Sequence, residues 1–573
     1  MSYYFNGTEY ITPTTVSAIN DDAMTPAGAS TSNLPCILGE SEGGQPNVAL
    51  VFSDPSVAQA TLRGGELQQA VLRTFACSDD TGGPSQVVVF RVNPAVQSTL
   101  SLLDASGNDV IDLTSQDWGA WTSTIKTSIG AGSTQGLKVS IGVGSTITTA
   151  DNIYGEPLTV QYTGEEETAS MSITGTSLTL SAPTGTVVAT VDLTTFSTIE
   201  ELVDHINTLN DFVAVIASGY ENDPSLNGLD FVTDVPILQA YTVEATLQAL
   251  VDWFNGSAQT YVTAARGTNA GTLPTPIGYT YLTGGSDGET TTSSWNDTLT
   301  AMQAADVQWI TPVSPTPTIW AMVDAHVQYM STTGRMERRA ICGTDLSTSD
   351  DAAIAYAKQI NSNRTSLVNL GHYNYDLTGA TDALVLWAPY ISACALTGAF
   401  AASAPGTALT NKAMKFAGLE RDLLNPTDTD ALIQGGVIPL ENTASGYKVT
   451  QSISTWLTDQ KYDKVEQSVG FACDYIARTV RTNLDVLRGQ KNGPLLMGRA
   501  ISITDSTLRA LAVPAPNGPE VIVGDADNPA YQNITASVSG TVLAVSFQCA
   551  PVLPANYIGI TIYAVPYSGS ASA

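Results

Sequence analysis

The stretch Asp306 to Gly343, DVQWITPVSPTPTIWAMVDAHVQYMSTTGRMERRAICG, decides the fold class. VQWITPV is a short apolar run rich in β-branched and aromatic residues and closed by Ser and Pro, the pattern of a buried strand. TIWAMVDAHVQYM repeats apolar residues at spacings of three and four, the period of a helix face. RRAICGT is a second short apolar run. Strand, helix and strand in that order predict a parallel pair with a helical crossover.

Outward from this unit the alternation continues. WNDTLTAMQAA precedes it as a helix, and DAAIAYAKQI, SLVNLGH, ALVLW and ISACALTGAFAA follow as helix, strand, strand and helix. A largely parallel sheet covered by helices is expected. The longest charge-free run, Ala383 to Asn411, holds Pro389, Gly398 and many Ala, Ser and Thr, and reads as a buried strand plus helix, not a membrane span.

Nearer the start, PCILGE, NVALVF and QVVVFRV read as strands, and Pro55 to Ala76 reads as one helix carrying Ala58, Leu62, Leu67, Val71 and Phe75. Residues 95–255 are short alternating segments of Thr, Ser, Gly and Val, with a helix at TIEELVDHINTL, and predict a β-rich inserted domain. From about Asp459 an amphipathic helix places Val465, Val469, Ile476, Val480, Leu484 and Leu487 on one face and Arg478, Arg481 and Arg488 on another. RAISITD, EVIVGD, SVSGTVLAVSFQC and YIGITIYAVPY then read as strands.

The expected architecture is therefore α/β and α+β multidomain: an extended N-terminal arm at 1–33, a small α/β part at 34–94, the β-rich insertion at 95–255, a central α/β domain at 256–445, and a C-terminal domain at 446–573 ending in an extended strand or arm. Tyr3, Tyr4, Phe5, Tyr10 and Ile11 at one end and Ile558, Ile560 and Ile562 at the other lie in low-charge segments without helical period, and are the candidate inter-subunit arms. An exposed edge of that kind is a template for pairing.

Charge narrows the function. The 573 residues carry 54 Asp plus Glu against 23 Lys plus Arg, a net charge of −31. Such a surface repels phosphate backbones and anionic lipid, so direct nucleic-acid binding and membrane insertion are not expected. Only Arg63, Arg73, Arg91, Lys126, Lys138 and Arg266 precede residue 300, so the two halves differ electrostatically. The six cysteines show no CxxC spacing and most sit in apolar runs, as buried free thiols do in a reducing compartment. MSYYFNGTEY lacks the basic and apolar regions of a signal peptide, so manufacture and use in a cytoplasm are expected.

The catalytic motifs fail on context. Gly39-Glu40-Ser41-Glu42-Gly43 fits the G-x-S-x-G of a nucleophile elbow, but a second strand-like run follows where the elbow needs a helix. His205, His326 and His372 have no spacing that would share a metal, and His326, on an apolar helix, reads as packed. The acidic clusters at Asp525–Asn528 and Asn425–Asp430 lack the continuation of an EF-hand loop and read as turn and cap chemistry. No catalytic, metal or cofactor site is expected, and the chain reads as a non-enzyme. The arginine stripe Arg478, Arg481 and Arg488 is the one charge feature that suggests a contact with an acidic partner.

In order along the chain, CILGESEGGQPNVALVFSDPSVAQATLRGGELQQAVLRTF with its RVNPA strand, then LTGGSDG, DVQWITPVS and the AHVQYM helix, then LTNKAMKFAGLERDLLNPTDTDALIQGGVIPLE, KVTQSISTW and DYIARTVRTNLD, resemble the contractile phage tail sheath family. The resemblance implies an α/β core near a tail tube, outward-facing insertions, and terminal arms that add strands to neighbouring subunits. It implies a structural subunit that stacks as hexameric rings and contracts for genome ejection. Its implied partners are copies of itself, the tube protein, and baseplate and neck or tail terminator proteins, with the arginine stripe as tube contact. It also implies a place in the virion tail after assembly in the host cytoplasm. The rival readings are the sheath of a tailocin or type VI secretion-like system, a secreted acidic β-rich adhesin, and an α/β hydrolase resting on Ser41 alone.

Overall fold

The structure is a computed structural model that describes residues 3–5, 8–10, 33–226, 228–267, 271–379, 382–567 and 569. At its centre is a six-stranded sheet ordered Thr365–Val368, Arg339–Gly343, Trp309–Pro312, Pro35–Gly39, Val87–Arg91 and Leu50–Phe52. The first five are parallel and the last is antiparallel, as the βαβ reading of 306–343 predicts.

Alternate strand residues feed two separate cores. Cys36, Leu38, Val88 and Phe90 pack with Trp295, Leu299, Ile319 and Val323 of the helices Thr292–Ala301 and Pro317–Thr332. Ile37, Val87 and Val89 face the other way, onto Leu62, Leu67, Val71 and Ile391. Burial on both faces is why these strands are nearly continuously apolar. Helix Pro389–Ala402 is buried on nearly every side, which explains its lack of charge.

The expected single helix over 55–76 is two, Pro55–Leu62 and Glu66–Phe75. Between them Gly65 takes φ +84°, and a Cβ there would come 2.8 Å from the Glu40 carbonyl. The glycine pair breaks the helix so that the chain can turn against the loop after the strand Pro35–Gly39.

The insertion leaves the core after Ala95 and returns at Asp287, with Val96 bridged to Ser286 and Thr99 to Thr283. It therefore runs past the expected end at 255, because Val262–Arg266 pairs with Asp109–Ser115 and Ile277–Tyr281 pairs with Ile125–Ala131. It contains two cores. One, around Ile111, Val139, Ile141 and Phe254, lies beside the junction; the other, around Val160, Met171, Leu180 and Leu202, is built from 158–243. The junction is fastened by Arg91, whose buried guanidinium donates to the Gly44 and Trp118 carbonyls at 2.9 and 3.1 Å and to Asp287 at 3.0 Å.

The C-terminal unit corrects two further expectations. RAISITD lies inside the helix Pro494–Leu511, whose buried positions Leu496, Ala500, Thr504, Leu508 and Leu511 follow a helical period. The alternating Ile501 and Ile503 imitate a strand locally, but the longer pattern wins. EVIVGD forms only an isolated bridge, Ile522 to Pro551. SVSGTVLAVSFQC does form the hairpin Tyr531–Ser539 and Val542–Cys549, turning at Gly540 with φ +59°.

Candidate functional site

The helix carrying the arginine stripe spans Gln467–Leu484; Val465 lies in a separate short helix, Tyr462–Val465, and Asp485–Leu487 closes the far end as a 3-10 turn. Arg478 and Arg481 therefore share one helix and Arg488 lies beyond it. All three have partners within the chain. Arg478 pairs with Asp306 at 2.6 Å, Arg481 pairs with Glu337, and Arg488 pairs with Asp485 three residues earlier. The stripe expected to be open to an acidic partner is thus largely engaged, because Asp306 and Glu337, on the loops that lead into the central strands Trp309–Pro312 and Arg339–Gly343, fold against it. Arg481 and Arg488 also border an open groove of about 550 Å³ lined by Leu484, Leu487, Leu496, Leu543 and Val545.

The helix's stronger electrostatic anchor is one that sequence reasoning missed. Asp474 is buried and receives Arg339 from one central strand and Arg364 from the segment before the next, at 2.9 and 3.0 Å. Gln467 adds a carbonyl acceptor for Arg339 at 2.7 Å. The only sequence signal was Arg338-Arg339 opening an otherwise apolar strand, where a buried cation requires a partner.

The two ends differ. Tyr3–Phe5 and Thr8–Tyr10 pair antiparallel, Tyr3 opposite Tyr10, so this part of the arm turns back into a hairpin. Pairing within the segment satisfies backbone groups that a lone strand would leave open. Ile11 lies outside the described residues.

At the other end the chain is tied down as far as Asn556. Val523 N–H donates to Ala550 and Val552 N–H to Val521, at 3.0 and 2.9 Å. The Asn556 amide donates to Glu466 at 3.2 Å. Beyond it, Tyr557, Ile558, Ile560, Ile562, Tyr563, Val565 and Tyr567 are 80% to 96% exposed. No strand forms there. The expected terminal strand is thus an extended, apolar segment without a pairing partner among the described residues.

The hairpin Tyr531–Cys549, which precedes it in the sequence, is a two-stranded sheet. One face packs on Leu487, Leu496 and Ala500 near its tip and on Tyr475, Ile476 and Leu508 near its base. A sheet of two strands leaves one ladder of N–H and C=O groups on each outer edge without a strand partner.

Other candidate residues have structural roles. Ser41 Oγ donates to the Gly43 carbonyl at 2.8 Å, and its N–H is held by Asn93. His326 is buried against Arg338 at 2.8 Å, and burial together with that cation pulls its pKa down to about 4. His372 is buried and bonded to Ser392 at 2.8 Å, and His205 stacks on Phe196. Asp525 accepts the N–H groups of Asp527 and Asn528, an Asx turn. Cys36, Cys77, Cys342 and Cys394 are buried free thiols, and burial pushes Cys36 up to about 12. Among the described residues no group of three or more His, Cys, Asp or Glu could hold a metal ion, and no helix is long and apolar enough to cross a membrane.

Comparison with known proteins fits this architecture. Residues 288–455 match the phage tail sheath protein central domain. The chain is 26% identical to the tail sheath protein of Bacillus phage SP01, over 99% of this chain and 97% of that one. It is 23% identical to the tail sheath protein of Staphylococcus phage Twort, over 80% and 82%. In fold it resembles the sheath tail proteins of Listeria innocua (TM-score 0.55, 14% identity, 92% and 94% covered) and Desulfitobacterium hafniense (TM-score 0.51, 12% identity, 94% and 100% covered). Over residues 288–455 the chain matches the phage tail sheath protein central domain, and it is similar, in sequence along nearly all its length and in overall fold, to tail sheath proteins.

Proposed function

We propose that this chain is the polymerising subunit of a contractile phage tail sheath, stacked as hexameric rings around a tail tube and shortening to drive the tube through the host envelope. The observation that carries this reading is the segment Tyr557–Tyr567, which presents alternating apolar residues to solvent, in a chain whose preceding hairpin is a sheet of only two strands. A neighbour's terminal segment adding a strand to that hairpin satisfies both. At roughly 0.5 to 1.5 kcal/mol net per hydrogen bond, a six-residue pairing contributes only a few kcal/mol. Repeated through a lattice, such links hold subunits together while their bodies repack as rigid units.

In this reading the subunit's partners are its own copies, the tube protein, and baseplate and neck or tail terminator proteins, with Arg478, Arg481 and Arg488 on the tube-facing side. Assembly takes place in the host cytoplasm and the product resides in the virion tail. A tailocin or type VI-like sheath would use the same surfaces. The test is electron microscopy of the purified protein: hollow striated tubes are expected from the full chain and are expected to vanish when residues 1–20 or 557–573 are deleted. Intact tubes from both truncations would refute the arm mechanism.

A further inference from the structure

Lys126, Lys138 and Arg266 are the only basic residues between Ala95 and Asp287. Arg266 is occupied by Gln248, whose amide oxygen receives its Nε and Nη2 at 3.1 and 2.8 Å. The two lysines remain, and they share one sheet face. On the paired strands Ile125–Ala131 and Leu137–Val143, Lys126 stands opposite Gly142 and Lys138 opposite Gly130. Directly opposed residues project to the same side, and positions four apart along a strand do too. Each ammonium therefore rises beside a residue with no side chain, the two separated by about 13 Å along the strands. A Cβ added at Gly130 would meet nothing within 4 Å, whereas one at Gly142 would meet the Thr146 carbonyl at 1.9 Å, so the face is open at the Lys138–Gly130 end and bounded by the Thr146 backbone beside Lys126. The adjoining strand Ile277–Tyr281 adds two half-exposed tyrosines, Tyr279 and Tyr281. Tyr281 pairs with Lys126, and the Tyr279 ring centroid lies 5.0 Å from the Lys126 ammonium. Neither lysine makes an ion pair among the described residues.

The same insertion carries the charge complement. Glu165-Glu166-Glu167 is the one run of three consecutive carboxylates in the chain. It lies on the loop between Leu158–Tyr162 and Ser170–Ile173, fully on the surface of the second core, and it too makes no ion pair among the described residues. Three adjacent like charges repel one another and leave a strong local field that a cationic partner offsets.

We propose that the Lys126, Lys138, Tyr279 and Tyr281 face docks the Glu165–Glu167 loop of a second copy of this chain. Tyrosine rings beside ammonium groups supply rigid contact area of the kind that dominates protein interfaces. Because the two patches are distinct and lie on the same unit, the contact is heterologous: each copy offers a free patch of each kind, so the arrangement continues from copy to copy into a ring or a helical stack. This rests on the proposed polymerisation and assigns the insertion a part in it, one set by charge rather than by strand exchange.

The test is a charge swap. K126E/K138E and E165K/E166K/E167K, made separately, should each raise the protein concentration needed for polymer by about three- to tenfold, the scale of a few exposed ion pairs. The combination of all five changes should return that concentration to within about twofold of wild type. The difference between wild type and single-patch variants should shrink in 1 M salt, where such pairs are screened to about 3 Å. Unchanged thermal unfolding of each variant monomer separates an interface effect from a folding defect. Polymerisation of either single-patch variant at the wild-type concentration, or failure of the combination to restore it, overturns the proposal. A wild-type chain that never polymerises overturns instead the reading on which it rests.

Discussion

Arg339 Nε lies 2.9 Å from Asp474 Oδ2, both groups buried, and Arg364 donates to both oxygens of the same carboxylate at 3.0 Å. One anion thus holds two guanidiniums where the central sheet meets the helix Gln467–Leu484. Breaking a buried pair costs far more than the pair contributes, since the remaining charges are stranded. Asp474→Ala should destabilise the protein by about 3–5 kcal/mol. Denaturant unfolding checks this; a loss below about 1 kcal/mol would show that water reaches the site.

The arginine stripe should divide by partner. Arg481→Glu sets a carboxylate against the largely buried Glu337 and should cost about 1–3 kcal/mol. Arg488→Glu faces only the exposed Asp485 and should change stability by no more than about 0.5 kcal/mol. Of the three, Arg488 is therefore the position at which tube binding can be read without a folding effect, by co-sedimentation with the tube protein.

Stability should fall on acidification below neutrality. His326 is neutral in the folded state because burial and Arg338 depress its pKa to about 4, and burial with Arg73 depresses His372 as well. An unfolded imidazole takes up its proton near pH 6.5, so as the pH drops from about 6.5 to 4 the unfolded state binds protons that the folded state refuses. Each such histidine removes up to about 1.4 kcal/mol per pH unit in that window. His326→Gln should flatten the slope of unfolding free energy against pH between 6 and 4; an unchanged slope would assign the acid sensitivity elsewhere.

Removing residues 557–573 should leave the monomer's unfolding midpoint in place, within the equivalent of about 0.5 kcal/mol, because the apolar side chains from Tyr557 to Tyr567 are exposed. Scanning calorimetry of the truncated chain measures this. A large loss would mean that the segment packs on its own subunit and is not available to a neighbour.

Much of the core was legible because its strands and helices carry period in their own residues. The alternation that sends Cys36 and Leu38 to one core and Ile37 to the other is a property of the strand, and the spacing in TIWAMVDAHVQYM is a property of the helix. Where two periods competed over a short window, as in RAISITD, the local reading failed, since Ile501 and Ile503 alternate inside a helix whose buried face shows only over eighteen residues. The helix break at Gly64-Gly65 was missed for a related reason: it depends on the Glu40 carbonyl and the Glu42 side chain, brought there by another part of the chain.

By itself, then, the sequence determined the central parallel sheet with its helices, the β-rich insertion, four of the buried thiols, the strong negative charge and the low-charge, apolar character of the segment Tyr557–Tyr567, all consequences of local pattern and composition. Only the tertiary structure decided that the arginine stripe is engaged, that Asp474 holds Arg339 and Arg364, and that Lys126 and Lys138 share a face with Tyr279 and Tyr281. The physical reason is that electrostatic pairing depends on distance in space, and Arg481 meets Glu337 across 144 positions of chain.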